Sequence, residues 1–297
     1  MSNSVILTQL LFLRQVITMK ATIKKLRDNL IPIYGKGEAE AIIRIIFHHL
    51  KGWNLTDMLI HSDDELSPFI KEEIDKILSR LKNHEPIQYI TGEARFHGMI
   101  LSVDPSVLIP RPETDELVDL IIDKYADRED LRVLDLCTGS GCIAIALAKN
   151  LKFASVEALD ISPKAIDIAE KNAEALKAKF KFICTDIFNW TPSQTFDIIV
   201  ANPPYINPDE AAEMEPNVMV YEPHQALFVT HDDPIAFYHR IADIATNALS
   251  YNGALYFEIN PRYAGEIINM LHSKGFGEIS VTLDSFGKKR FISCKKI

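Results

Sequence analysis

From residue 131 onward the hydrophobic positions follow two alternating patterns. LRVLDL (131–136), 155–160, 180–184 and FDIIVA (196–201) are short, nearly continuous apolar runs. Residues 142–150, 163–177, 233–248 and 264–274 instead repeat apolar positions at helical spacing. GALYFEI (253–259) and two short runs near 278–283 and 289–294 predict further strands. Apolar strands alternating with helices predict an α/β domain whose parallel sheet is covered on both faces. Ligands of such sheets bind beyond the carboxyl ends of the strands.

The first third of the chain reads differently. Residues 20 to about 83 are helical in pattern. Ser67 followed by Pro68 is a helix start, and Phe69, Ile70, Ile74, Ile77, Leu78 and Leu81 then recur at helical spacing. Ala41, Ile42, Ile45 and Ile46 mark an earlier helix. His84 to Gly92 and Met99 to Ile109 read as short strands and turns, and Pro110-Arg111-Pro112 breaks any regular element. The predicted order is an extension (1–18), a helical domain (19–83), a β-hairpin linker (84–112) and an α/β domain (113–297). The extension has a short apolar run but no basic flank or small-residue cleavage site. It is too short to span a bilayer, carries Arg14, and precedes a second methionine, Met19. It reads as dispensable.

Composition narrows the function. The 297 residues are 47% hydrophobic and 25% charged, an ordinary globular balance, and the net charge is −9. That charge disfavours general attraction to nucleic acid. Four cysteines without a CxxC pair fit a reducing cytosol rather than a disulfide framework. The nine histidines have no HExxH or facial-triad spacing, so no metal is expected.

The candidate chemistry lies at the strand ends. The first α/β strand runs into Cys137-Thr138-Gly139-Ser140-Gly141, a turn whose glycines allow close backbone approach to a ligand before a helix N-terminus. The second strand ends at Asp160, suited to ribose hydroxyls, and the third leads to Asp186, suited to an adenine amino group. Together these describe a nucleoside pocket that fits NAD or S-adenosylmethionine. The fourth strand decides between them. It ends in Asn202-Pro203-Pro204-Tyr205, where prolines fix the backbone around a single amide. Hydrogen bonds to the Asn202 oxygen and the Pro203 carbonyl would aim the lone pair of a planar nitrogen at a methyl sulfonium. The Tyr205 ring would offer a flat face to the substrate.

NPPY (202–205) after VLDLCTGSG (133–141), with EPIQYITG (85–92), RFHG (95–98), LIPRPETDELV (108–118) and YEPHQAL (221–227), resembles the HemK/PrmC family from about residue 20 to the end. The resemblance implies a seven-stranded S-adenosylmethionine-dependent methyltransferase (Rossmann-like) domain behind a small N-terminal helical bundle that recognises the protein substrate. It implies methylation of the glutamine side-chain amide in the GGQ motif of class 1 peptide chain release factors, in the cytoplasm and without a membrane. Residues Cys137 to Gly141, Asp160, Ile187 and Asn202 would contact the cofactor, and Asn202 to Tyr205 the glutamine. Two positions depart from the family pattern: Cys137 stands where glycine is usual, and Ile187 where a bulkier residue often lies beside adenine. Three rival readings share parts of this pattern. They are a glutamine methyltransferase of a large-subunit ribosomal protein, a DNA or RNA amino-methyltransferase, and a non-catalytic protein on a methyltransferase scaffold.

Overall fold

A computed structural model describes residues 18–229 and 233–297, which divide into two compact units at Thr91 and Gly92. The expected extension lies outside the described residues except for Thr18. The Thr18 hydroxyl oxygen caps the first helix by accepting from the Ala21 amide, and Met19 is fully buried behind it.

The first unit is helical. Helix α1 (Met19–Lys51) is interrupted at Gly35 (φ 73°, ψ 166°), three residues after Pro32. Helices α2 (Leu55–Ile60), α3 (Pro68–Lys82) and α4 (Ile87–Thr91) complete it. Ser67 caps α3, and Ile70, Ile74, Ile77, Leu78 and Leu81 face a core shared with Leu26, Ile43 and Phe47 of α1. Phe69, expected in that stripe, is 66% exposed, because it sits at the edge of the first turn beside the buried face. His84 to Gly92, expected as short strands and turns, hold a helix at 87–91 instead. Pro86 starts it, its carbonyl accepting from the amides of Tyr89 and Ile90.

The second unit opens with a hairpin, β1 (Glu93–Phe96) and β2 (Met99–Ser102), followed by helix α5 (Pro112–Tyr125). A seven-stranded sheet then builds from β3 (Arg132–Leu136), β4 (Ser155–Asp160), β5 (Lys181–Cys184), β6 (Phe196–Ala201), β7 (Leu249–Glu258), β8 (Phe276–Leu283) and β9 (Lys289–Lys296). Its order is β5-β4-β3-β6-β7-β9-β8. The five strands from β5 to β7 are parallel, as the apolar runs predict. One strand departs from the all-parallel expectation: β9 is antiparallel to both β7 and β8. Only a short turn joins β8 to β9, too little chain for the crossover that a parallel pair needs.

Two apolar layers cover the sheet. On β6, Ile199 and Ala201 face helices α10 (Ala236–Ala248) and α11 (Ala264–Ser273). In chain order, α5 is followed by α6 (Cys142–Asn150), α7 (Pro163–Ala175), and the short α8 (Pro216–Tyr221) and α9 (His224–Leu227). Ile198 and Val200 face α5, α6 and α7. The chain moves outward from β3 through β4 to β5 and then returns to β6 on the other side of β3. The crevice at that reversal is where an open α/β sheet accepts a ligand.

Candidate active site

Strand register sets three candidate residues side by side. Leu136 pairs with Leu159 on one side and with Ala201 on the other. The next residue of each strand is therefore Cys137, Asp160 and Asn202, in one row on the carboxyl edge. They line a cavity of about 360 Å³, of a size suited to a small ligand. Thr138, Gly139, Ser140, Asp186, Ile187 and Pro204 also line it.

Hydrogen bonds hold the loop against the strand ends. The Thr138 amide donates to the Leu159 carbonyl at 2.9 Å, and the Gly139 amide to Asp160 Oδ2 at 2.9 Å. Asp160 Oδ1 accepts from the Ser162 amide at 3.0 Å, so both oxygens are oriented while retaining lone pairs. Burial raises its pKa against these amide bonds. Below the loop, fully buried Asp135 accepts the Thr138 hydroxyl at 2.6 Å and the Ala144 amide at 3.2 Å. Burial pushes its carboxyl up to about 7.

Cys137 adopts φ 62°, a left-handed conformation that normally favours glycine. Burial, then Asp160, raises its thiol pKa well above the ordinary value, so it is held protonated and is no nucleophile. Gly141 does not line the cavity. It caps α6 at φ 79°, and a Cβ there would lie 3.1 Å from that of Ala169 on α7. Asp186 orients its own turn, accepting from the Phe188 amide and the Asn189 side chain. Ile187 is buried on the apolar side of the cavity, where the rings of Phe188 and Phe237 meet edge to face at 5.1 Å.

The NPPY segment divides its residues between cavity and core. Asn202 and Pro204 line the cavity, whereas Pro203 is buried outside its lining. Tyr205, expected to offer a flat face to substrate, also lies outside the lining. Its hydroxyl donates to Glu258 Oε1 at 3.2 Å, and its ring packs on the core. The Asn202 Nδ2 donates to Thr114 Oγ1 at 3.1 Å, and the Thr114 hydroxyl donates to Glu258 Oε2 at 2.6 Å.

Thr114 and Glu258 had no individual role in the sequence reading. The visible signal was a lone carboxylate in the apolar run GALYFEI. Arg111, also on the cavity wall, pairs with buried Glu222 at 2.5 Å, while the Ile109 amide donates to the same carboxylate at 3.3 Å. These bonds tie LIPRPET to YEPHQAL. His97 of RFHG bonds Asp115 at 2.7 Å; with Asp119 they form a His/Asp trio, its ligand atoms within 4.8 Å, away from the cavity lining. Among the described residues no helix is long and apolar enough to cross a membrane.

The sheet order and the glycine loop facing a strand-end carboxylate define an S-adenosylmethionine-dependent methyltransferase fold. Residues 110–230 match the family model of the methyltransferase small domain, and residues 24–92 that of the PrmC N-terminal domain. A T. thermophilus 16S rRNA guanine-N2 methyltransferase, solved with S-adenosylmethionine and guanosine, shares the fold. It has a TM-score of 0.51 and 20% identity over 69% of this chain and 50% of that one. The release factor glutamine methyltransferase of Bacteroides thetaiotaomicron is 44% identical over 91% of this chain and 98% of that enzyme. The enzyme of the same name from Flavobacterium psychrophilum is 43% identical over 88% of this chain and 93% of that one. The chain belongs to the release factor glutamine methyltransferase family.

Proposed function

We propose that this protein transfers a methyl group from S-adenosylmethionine to the side-chain amide nitrogen of the glutamine in the GGQ motif of class 1 release factors. The observation that carries the chemistry is Asn202: it lines the cavity with its Nδ2 engaged by Thr114 and its Oδ1 without a hydrogen bond among the described residues. The names of the near-full-length relatives supply the substrate. S-adenosylmethionine supplies a methyl group on a positively charged sulfur.

The cavity suits this ligand. Backbone of the Cys137–Ser140 turn approaches it, the Asp160 and Asp186 carboxylates can accept from ribose and adenine, and Ile187, Phe188 and Phe237 give an apolar wall. An amide nitrogen is a weak nucleophile because its lone pair is delocalised. Asn202 Oδ1 accepts one of its N–H protons, which turns electron density and the lone pair toward the methyl group. Fixing that approach lowers the barrier by about 7–11 kcal/mol in favourable systems. No base is needed before attack, since the nitrogen sheds a proton once it becomes cationic. The helical unit recognises the release factor, and the enzyme works in the cytoplasm with no nucleic acid or membrane partner.

The test is the intact mass of a release factor incubated with the protein and S-adenosylmethionine. One added methyl group, mapped to the GGQ glutamine, is expected. Transfer only to a ribosomal protein or DNA would sink this substrate assignment.

A further inference from the structure

The hydrogen bonds around Asn202 run in one direction, and that direction is set away from the reacting atoms. Glu258, at the end of β7, is 1% exposed. In its charged form, which the Thr114 and Tyr205 hydroxyls and nearby Arg290 favour against burial, it can only accept, and its Oε2 takes the Thr114 hydroxyl proton at 2.6 Å. Thr114 has no second hydroxyl proton. Its oxygen can therefore only accept from Asn202, and the atom it meets at 3.1 Å must be the amide nitrogen. The Asn202 oxygen is then the atom left for a ligand.

Without that chain the amide has two orientations of nearly equal shape. Rotated by half a turn, it would set its NH2 group against the N–H protons of an incoming amide. We infer that Thr114 and Glu258 are positioning residues that fix the orientation of the Asn202 side chain, so that the cavity accepts N–H donors and rejects carboxylates. This inference rests on the reaction proposed above. It gives that reaction its selectivity: a glutamate in place of the glutamine would meet oxygen with oxygen. A site built around one hydrogen bond rejects the analogue lacking it strongly, because a buried polar group is left unpaired.

Glu258 is itself held. Its Oε1 accepts the Tyr205 hydroxyl at 3.2 Å, and its backbone carbonyl accepts the Tyr238 hydroxyl at 3.1 Å. Asn260 Nδ2 reaches the Tyr205 carbonyl at 3.3 Å. Burial raises the Glu258 pKa, while the Thr114 bond and nearby Arg290 favour its charged form.

Thr114→Val keeps the shape of the side chain and removes the hydroxyl. The expected result is a loss in kcat of about 100-fold, with KM for release factor and Kd for S-adenosylmethionine within about threefold of wild type. Thr114→Ser, which restores the hydroxyl, should recover at least about tenfold of that loss. A melting temperature for each variant verifies the fold. A Thr114→Val loss below about tenfold, or a Ser variant as slow as the Val one, overturns the inference. A wild-type enzyme inert on release factor overturns the proposed reaction itself. An active wild type beside an equally active Thr114→Val overturns the positioning role alone.

Discussion

The amide of Gly139 donates to Oδ2 of Asp160 at 2.9 Å, joining the turn after β3 to the end of β4. One carboxylate thus shapes the loop and offers its remaining lone pairs to a ligand. Asp160→Ala removes both contributions. Hydrogen bonds to a charged group are worth about 1.5–3 kcal/mol, so S-adenosylmethionine should bind roughly 10- to 100-fold more weakly. Titration calorimetry measures this, and unchanged affinity would remove Asp160 from the site.

Asn202→Ala separates binding from chemistry. The truncated side chain leaves the loop and Asp160 in place. By analogy with loss of one oriented group in other active sites, kcat should fall about 100- to 1,000-fold. Single-turnover methylation of release factor gives the rate. Activity close to wild type would refute the amide-clamp mechanism.

Gly141→Ala tests the packing behind the loop. The residue has φ 79°, and the added Cβ would lie 3.1 Å from the Cβ of Ala169. Positive φ and crowding together should destabilise the fold by about 1–3 kcal/mol. A lowered melting temperature is expected; an unchanged one would mean that the α6–α7 contact yields freely.

Asp135 makes stability depend on pH in a definite direction. Its carboxyl titrates near 3.8 when open to water and near 7 in the fold, because burial disfavours the charge. Between those values the folded protein holds the extra proton, so stability falls as pH rises through the window. The rise from 3.8 to about 7 corresponds to a change on the order of 4 kcal/mol, complete above the folded pKa. Asp135→Asn should flatten this slope, as urea unfolding at about pH 5 and about pH 8 would reveal. The same slope in both proteins would exclude Asp135 as its source.

Arg111 and Glu222 form a pair with one nearly buried partner: the side chains are 33% and 1% exposed. Arg111→Ala strands the Glu222 charge and should cost on the order of 2–4 kcal/mol. Adding Glu222→Gln should recover much of that loss, because the orphaned charge is gone. Equal melting temperatures for the single and double variants would argue against the pairing.

The strands β3, β4 and β6 were legible because buried parallel strands are written as continuous apolar runs. So was the row formed by Asp160 and Asn202, since each ends such a run. Residues 87–91 were misread because IQYIT suits either a strand or a helix turn, and only Pro86 marks the start. Thr114 and Glu258 are 144 positions apart, and local sequence does not encode which partner a hydroxyl finds across that distance. The cavity-facing role expected of Tyr205 ran into the same difficulty: spacing places its backbone, whereas Glu258 draws its hydroxyl into the core.

Strand β9 consists of Lys289–Lys296 and lies between β7 and β8. Synthesis runs toward the carboxyl terminus, so this interior plank of the sheet is delivered after both of its neighbours. Until it emerges, the apolar ribbon Leu249–Glu258 has an unpaired border and β8 has no strand beside it. A stop codon ahead of Lys289 would therefore do more than shorten the chain. It would leave nascent chains with an adhesive border exposed to one another.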